Sequence, residues 1–412
     1  MSQHDGPLFF VGIDWAAAEH AVCVLDQTGR KVAAFTIAHT AAGFTKLVTR
    51  LDKFGETEQV PVAIERPDGR LVDALLQAGH PVMPVKPNAI KTWREAEVLS
   101  GAKSDPGDAE VIADYLRVRI HRLRPAVPFS GHTKALRTVV RTRTDLVDAR
   151  VAAVNQLAAL LDTHWPDAKA IFANLESAIA LAFLTRYPTA ASAAALTEKR
   201  LAAFCAKQGY SGKRPAAVLL TRLRSAPAGT TDPAQSEGIR DAVLAHVSVL
   251  TALNTAIRNL DRSITGTMDT HPDGEIFQSF PRSGTINAAQ ILAEWGDARE
   301  AFDHPDAIAA LAGITPVTKA SGKQRGVSFR WACNKRLRTA ITTFADNSRH
   351  ASPWAADIYQ RARTAGKDHP HAVRILARAW VRVMWRCWQN RTPYDPTLHG
   401  GAQHTTNTPA AA

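Results

Sequence analysis

Four carboxylates in the first 110 residues stand where chemistry could use them. Asp14 closes the apolar run Phe9-Phe10-Val11-Gly12-Ile13, and Glu65 closes Val60-Pro61-Val62-Ala63-Ile64. Asp105 and Asp108 stand three apart in Lys103-Ser104-Asp105-Pro106-Gly107-Asp108. A carboxylate held near a core is costly unless it is protonated, paired with a cation or bound to a metal. Two strand ends and the first turn of a helix could converge, and four acids together repel unless hard cations sit among them. Mg²⁺, or Mn²⁺ in its place, suits an all-oxygen ligand set, and two such ions would clamp a scissile phosphate. Three of the acids also have a plainer reading, Asp14 as a turn cap and Asp105 and Asp108 as N-terminal helix caps that favour the dipole. A fifth candidate is Ser321, in Val317-Thr318-Lys319-Ala320-Ser321-Gly322-Lys323. A hydroxyl attacks phosphorus poorly until a base or metal activates it, and Lys319, Lys323 and Arg325 would offset charge on a phosphorane. Taken alone, Ser321-Gly322 reads better as a solvated turn.

The elements that must position these groups follow from the apolar pattern. Phe9, Val11 and Ile13 have central-strand character, and 20–26 and 31–38 read as two further strands joined at Gln27-Thr28-Gly29-Arg30. Helical spacing over 41–54 precedes the strand 60–65, a short helix over 71–78 and an edge strand over 81–85, where two prolines exclude a sheet interior. A helix then starts at Pro106 with Asp105 as its N-cap. The order β-β-β-α-β-α-β-α predicts a mixed sheet with helices on its faces. From about His132 two long helices follow, with seams at Val140, Val147, Val154 and Leu161 and at Val243, Leu250, Ile257 and Ile264. They are expected to pair antiparallel, with smaller helices of 167–222 at the distal end, as a spacer or dimerisation arm or simply as core packing. The last block opens with the loop 276–284 before a helix over 285–294, a place where backbone N–H groups can meet phosphate. Residues 317–323 read as a flexible basic loop, and helices resume over 334–343 and 372–388.

Charge indicates the partner. The chain of 412 residues carries a formal net charge of +12. Residues 307–345 contain no Asp or Glu but include Lys319, Lys323, Arg325, Arg330, Lys335, Arg336 and Arg338. A second acid-free stretch, 369–394, carries Arg374, Arg378, Arg382 and Arg386 at four-residue steps beside Trp380, Trp385 and Trp388. Such stripes also occur on membrane-surface helices, but several patches along a chain of this composition favour phosphate backbones. Cys23, Cys205, Cys333 and Cys387 lie too far apart for zinc or disulfide spacing. No apolar run is long enough to span a bilayer and the N-terminus lacks signal-peptide features, so a cytoplasmic protein is expected. The Pro-, Thr-, Gly- and Ala-rich tail over 391–412 is expected to be disordered.

The succession GIDWA, AIERPDG, KSDPGDAEVIA, LRTVVRTRTDLVDARVAAVNQL, FPRSGTINAAQIL and LAGITPVTKASGK resembles the insertion-sequence transposases of the RuvC-like DEDD type with a C-terminal serine domain, the bridge-RNA-guided serine recombinases. The similarity runs from Phe10 to about Arg349. It implies an α/β RNase H-like (RuvC-like) catalytic domain over 1–130, a mostly α-helical coiled-coil spacer over 131–270 and a small helical C-terminal transposase domain over 271–390. The family's acidic set falls on Asp14, Glu65, Asp105 and Asp108, and its nucleophilic serine on Ser321. The implied partners are donor and target DNA and a structured guide RNA, handled by a homodimer or homotetramer in which one subunit's serine completes another's acidic site. FPRSG departs from the family's more usual Pro-Gly-Ile-Gly, which puts a phosphate contact there in question. Two other readings stand: a RuvC-like nuclease in which metal-bound water attacks, and a nucleic-acid-binding protein without catalysis.

Overall fold

The computed structural model describes residues 6–97, 104–225, 230, 232–321 and 324–397; the side chains of 97 and 319–325 lie outside the described set. The expectation for the tail beyond residue 397 also lies outside it. Within the described residues the chain divides into two compact units, one up to Phe129 with Ala298–Ala301, the other Ser130–Asp297 with the chain from Phe302 on.

In the first unit β1 (Phe9–Asp14), β2 (Glu19–Asp26) and β3 (Lys31–Ala38) form an antiparallel meander. There follow α1 (Ala41–Leu51), β4 (Val62–Ile64), α2 (Arg70–Gln77), β5 (Val82–Pro84), α3 (Pro87–Glu97) and α4 (Asp105–Arg119). The sheet order is β3-β2-β1-β4-β5, with β1, β4 and β5 parallel, so the expected mixed α/β architecture is present with one helix more than the sequence pattern suggested. Strand periodicity separates the two faces of β1. Val11 and Ile13 are fully buried in a cluster with Leu47 and Leu51 of α1 and Leu71 and Leu75 of α2. Phe10 faces the other way, into a cluster with Ile112 and Leu116 of α4. Between them Gly12 leaves no room for a side chain: a Cβ there would overlap the Ala109 carbonyl oxygen and the Ala113 backbone nitrogen. The helix therefore rests on the strand backbone itself, and that close approach fixes its height over the sheet.

The second unit opens with α5 (Gly131–His164), capped by Ser130, and continues through α6 (Pro166–Ala170), α7 (Ala178–Arg186), α8 (Ala190–Ala193), α9 (Glu198–Lys207), α10 (Ala216–Leu223) and the long α11 (Pro233–Thr270). Thr133 bonds His271 at 2.8 Å, Arg143 pairs with Asp261, and Arg150 reaches Asn254 at 3.3 Å. Rising numbers on α5 meet falling ones on α11, so the two run antiparallel. Leu157, Leu161, Val243 and Leu250 close a core with the small helices. The opposite ends, through Leu136, Val140, Ile264 and Met268, join the core of the remaining elements. These are α12 (Gly274–Gln278), α13 (Thr285–Trp295), α14 (Pro305–Leu311), β6 (Val317–Ser321), β7 (Gln324–Ser328), α15 (Lys335–Ser348), α16 (Pro353–Thr364) and α17 (His369–Asn390). Trp295, Trp380, Trp388, Phe277 and Phe344 are fully buried at its centre. Among the described residues no helix is long and apolar enough to cross a membrane.

Two expectations need correction here. The stretch from Val317 is a strand, β6, antiparallel to β7, because its polar residues find ladder partners in a second strand that composition alone does not reveal. Trp380 and Trp388 are core residues bound to Ser348 and Asp273, so they offer no stacking surface beside the arginines.

Candidate active site

The parallel pairing of β1 with β4 places Gly12 opposite Ala63 and Ile13 opposite Ile64. One step further, Asp14 and Glu65 stand at the same sheet edge, on chains about 4.8 Å apart. Period-two alternation sets Asp14 on the face of Gly12 and Glu65 on the face of Ala63, and both Gly12 and Ala63 face α4. Along that face Phe10 meets Leu116 and Gly12 meets Ala109, so the line toward Asp14 leads to the first turn of α4, where Asp105 and Asp108 are found. Three elements thus bring the four acids to one end of one layer. Asp14 and Glu65 are half-buried.

The side chains on α4 differ from expectation. The N-cap is Ser104, whose Oγ accepts from the Gly107 N–H at 3.3 Å, and Asp105 is the first helical residue. Both residue types cap well, and the hydroxyl that reaches the third N–H takes the role. Asp105 is exposed while Asp108 is buried, so the two do not act as one pair. Asp108 is held by Arg94 of α3 at 2.7 Å. Among the described residues no group of three or more His, Cys, Asp or Glu side chains is closed enough to hold a metal. The donor set is nonetheless all carboxylate oxygen, which suits a hard dication. A dication at this end would be held by Asp14 and Glu65, and Asp108 could join only by giving up Arg94.

The surroundings of the two strand ends were not visible in the sequence. The Arg66 guanidinium lies 4.3 Å over the Trp15 ring, so the residues that follow Glu65 and Asp14 are clasped together. The Ala16 N–H donates to His20 Nδ1 at 3.3 Å, which leaves the proton of neutral His20 on Nε2, facing His39 Nδ1 at 2.8 Å. Burial, with His39 adding to it, holds the His20 imidazole below its ordinary pKa and keeps it neutral. This chain fixes the turn that leaves Asp14. Arg-aromatic and His-His spacings across different strands carry no sequence signature, and only the register creates them.

In the second unit Ser321 is the last residue of β6, its backbone opposite Gln324 at the end of a hairpin. The side chains of Ser321, Lys319 and Arg325 lie outside the described residues, as does Lys323 altogether. Arg330 donates to the Thr315 carbonyl at 3.3 Å and Arg336 pairs with Asp145 at 2.8 Å. Arg338 donates to the Ala312 and Arg330 carbonyls, and Lys335 is exposed. Arg374 lies over the Phe329 ring, while Arg378 and Arg382 share Asp306 at 3.1 and 4.0 Å. In the loop before α13, Phe280 is core, Gly284 is the N-cap at φ +63°, and the buried Ser283 hydroxyl has no partner among the described residues.

Known proteins resolve the family. The profile of DEDD-type IS110 transposases matches residues 11–166, and that of the transposase IS116/IS110/IS902 family matches residues 274–360. The chain is 34% identical over 400 residues to a candidate transposase of the IS117 mini-circle from Streptomyces coelicolor, covering 95% of this chain and 96% of that one. It is 28% identical over 391 residues to an uncharacterized 42 kDa protein of insertion element IS900 from Mycobacterium paratuberculosis, covering 94% and 97%. An uncharacterized 44.8 kDa protein of insertion element IS116 from Streptomyces clavuligerus is 27% identical over 407 residues, covering 96% and 98%. With both profiles in order and a relative of this identity along nearly its whole length, the chain belongs to the IS110/IS116 family of transposases, enzymes that move DNA.

Proposed function

We propose that this transposase cuts and rejoins DNA through a phosphoserine formed by Ser321, with Mg²⁺ or Mn²⁺ held by carboxylates of an RNase H-like domain. The observation that carries the reading is the sheet order β3-β2-β1-β4-β5 with Asp14 and Glu65 leaving adjacent parallel strands beside the first turn of α4. Carboxylates at the ends of adjacent strands suit hard dications that act on a phosphate, and Asp105 and Asp108 supply further carboxylates at the same end. When bound, the dication would offset the charge that develops on the phosphate oxygens. Asp14 and Glu65 would hold it, and the His20 and Arg66 contacts brace the turns that follow them. The Ser321 oxygen forms a bond to phosphorus as the bond to a deoxyribose oxygen breaks. The serine proton leaves and the departing hydroxyl gains one. The reverse attack by a new hydroxyl regenerates serine, so no bond energy is lost to hydrolysis. Lys319, Lys323, Arg325, Arg330, Lys335, Arg336, Arg338, Arg374, Arg378 and Arg382 form the basic field for donor and target DNA and for a structured guide RNA. A homodimer or homotetramer pairs the serine of one subunit with the acids of another.

The test is Ser321→Ala on a labelled DNA substrate. At the tip of a polar hairpin, one hydroxyl should change stability by less than about 0.5 kcal/mol. The variant should bind DNA as the parent does yet give neither cleaved strand nor denaturant-resistant protein-DNA adduct. Cleavage within about tenfold of the parent, a barrier change near 1.4 kcal/mol, would instead show that water is the nucleophile.

A further inference from the structure

Beside the hairpin lies a cavity of ≈ 350 Å³ whose lining includes Thr315, Phe329, Arg330, Arg374 and Arg378. Arg330 and Arg374 have no carboxylate partner among the described residues, and Arg378 has only part of its guanidinium engaged, by Asp306 at 3.1 Å. Two polar atoms of the lining, Thr315 Oγ1 and Arg378 Nε, are buried without a hydrogen-bond partner among the described residues. The large majority of buried side-chain polar atoms are partnered in native proteins, so orphaned groups in a cavity rimmed by guanidinium charge call for an anion rich in acceptor oxygens. Phosphate meets that description.

A second observation narrows the ligand. Trp331 is 77% exposed, and it alone of the nine tryptophans is exposed. Its ring lies edge-on to Phe329 with centroids 4.9 Å apart. The Phe329 ring is already covered by the Arg338 and Arg374 guanidinium groups at 4.4 and 5.1 Å, so it serves as a post that sets both Arg374 and Trp331. Val327, on the strand that pairs with β6, is also bare at 65% exposure. An exposed indole next to a phosphate-sized basic cavity suits a nucleotide whose base face is free. A base inside a duplex is stacked on both sides and cannot offer that face.

We infer that this corner of the second unit binds one unpaired nucleotide of DNA, its base stacked on Trp331 and its phosphate among Arg330, Arg374 and Arg378. The ligand is DNA rather than RNA because the hairpin that borders the cavity is where the proposed function places the strand being moved. The inference rests on the proposed placement of DNA at this hairpin, but not on Ser321 being the nucleophile.

Binding is measured on the full-length protein in a Ser321→Ala background, so that no chemistry intervenes, while adduct formation by the parent reports the serine separately. The probes are a labelled DNA strand of about 12 nucleotides with 2-aminopurine at its centre, the same sequence as a hairpin duplex, and the same sequence as RNA. Trp331→Ala should weaken the single strand about tenfold and abolish its quenching of 2-aminopurine, Trp331→Phe should stay within about threefold, and duplex affinity should not change. Arg374→Gln should lower the single-strand salt slope by about 0.7. Equal losses on single strand and duplex, no loss on either, or a loss confined to RNA would each overturn the assignment.

Discussion

Asp108 and Arg94 lie 2.7 Å apart with only 8% and 22% of their side chains exposed. The pair ties α3 to the first turn of α4, at the end of the layer where Asp14 and Glu65 leave the sheet. Arg94 therefore supplies the positive charge that a metal would otherwise bring to Asp108. Arg94→Gln should lower stability by about 2 kcal/mol without divalent cations, below the cost of breaking a fully buried pair because Arg94 is partly solvated. Mg²⁺ should restore more stability to the variant than it adds to the parent, since it then binds a carboxylate no longer engaged. Urea melts with and without Mg²⁺ read the difference, and equal responses would leave Asp108 a structural partner of Arg94 alone.

Asp14→Asn and Glu65→Gln should each reduce strand cleavage by more than about a hundredfold, as the loss of a metal-orienting carboxylate does. DNA affinity should stay within about threefold, because the acid-free basic stretches belong to the other unit. Asp105→Asn is a cleaner probe than the sequence suggested. Ser104 caps α4, so removing the Asp105 charge leaves the cap intact and any lost cleavage reports the carboxylate itself. Gel assays of cleavage beside filter binding separate the two effects.

The meander is legible because β2 and β3 are long and joined at Gln27-Thr28-Gly29-Arg30, whereas the β1–β4 pairing that brings Asp14 beside Glu65 is a long-range choice no local pattern encodes. Helix α3 has no clear sequence signal: Pro84 and Pro87 bracket its start and look like a loop, which hides Arg94. Position 104 against 105 was undecidable from propensity, since Ser and Asp cap equally well. β6 reads as a loop for want of its partner strand, and the tryptophans of α17 read as neighbours of its arginines because a helical repeat gives a stripe without saying which side meets the core.

Glu294 is 3% exposed and is gripped by Arg141 at 2.7 and 2.9 Å, Arg137 at 3.5 Å and Asn334 at 2.8 Å. Burial alone would raise its carboxyl. The hydrogen bonds from Arg141 and Asn334, and the charges of Arg141 and Arg137, outweigh that and hold it below its ordinary 4.5. A depressed carboxylate contributes stability that is present above the unfolded value and lost as pH falls through the folded one. Glu294→Gln should thus cost about 3 kcal/mol near neutrality, where two arginines lose their partner, and the gap to the parent should close as pH drops below about 4.5. Urea midpoints from neutral to acid pH test this, and a constant gap would mean the loss is packing rather than charge.

Asp306 sits in the first turn of α14 and draws Arg378 to 3.1 Å and Arg382 to 4.0 Å, so one carboxylate neutralises two steps of the arginine stripe on α17. All three side chains are at least 40% exposed, which limits the pair's own worth to at most about 1 kcal/mol. Asp306→Asn should therefore leave folding nearly unchanged, apart from a few tenths of a kcal/mol for a lost acid at a helix N-terminus. Its effect on DNA should be larger. Each guanidinium released to a phosphate displaces one counterion, so the slope of log affinity against log salt should steepen by up to about two units on duplex DNA, with tighter binding at low salt. The sign distinguishes this from damage, since a misfolded surface would bind more weakly and with a shallower slope. An unchanged slope would show that the stripe does not face DNA and that Arg378 and Arg382 serve only to hold α14 against α17.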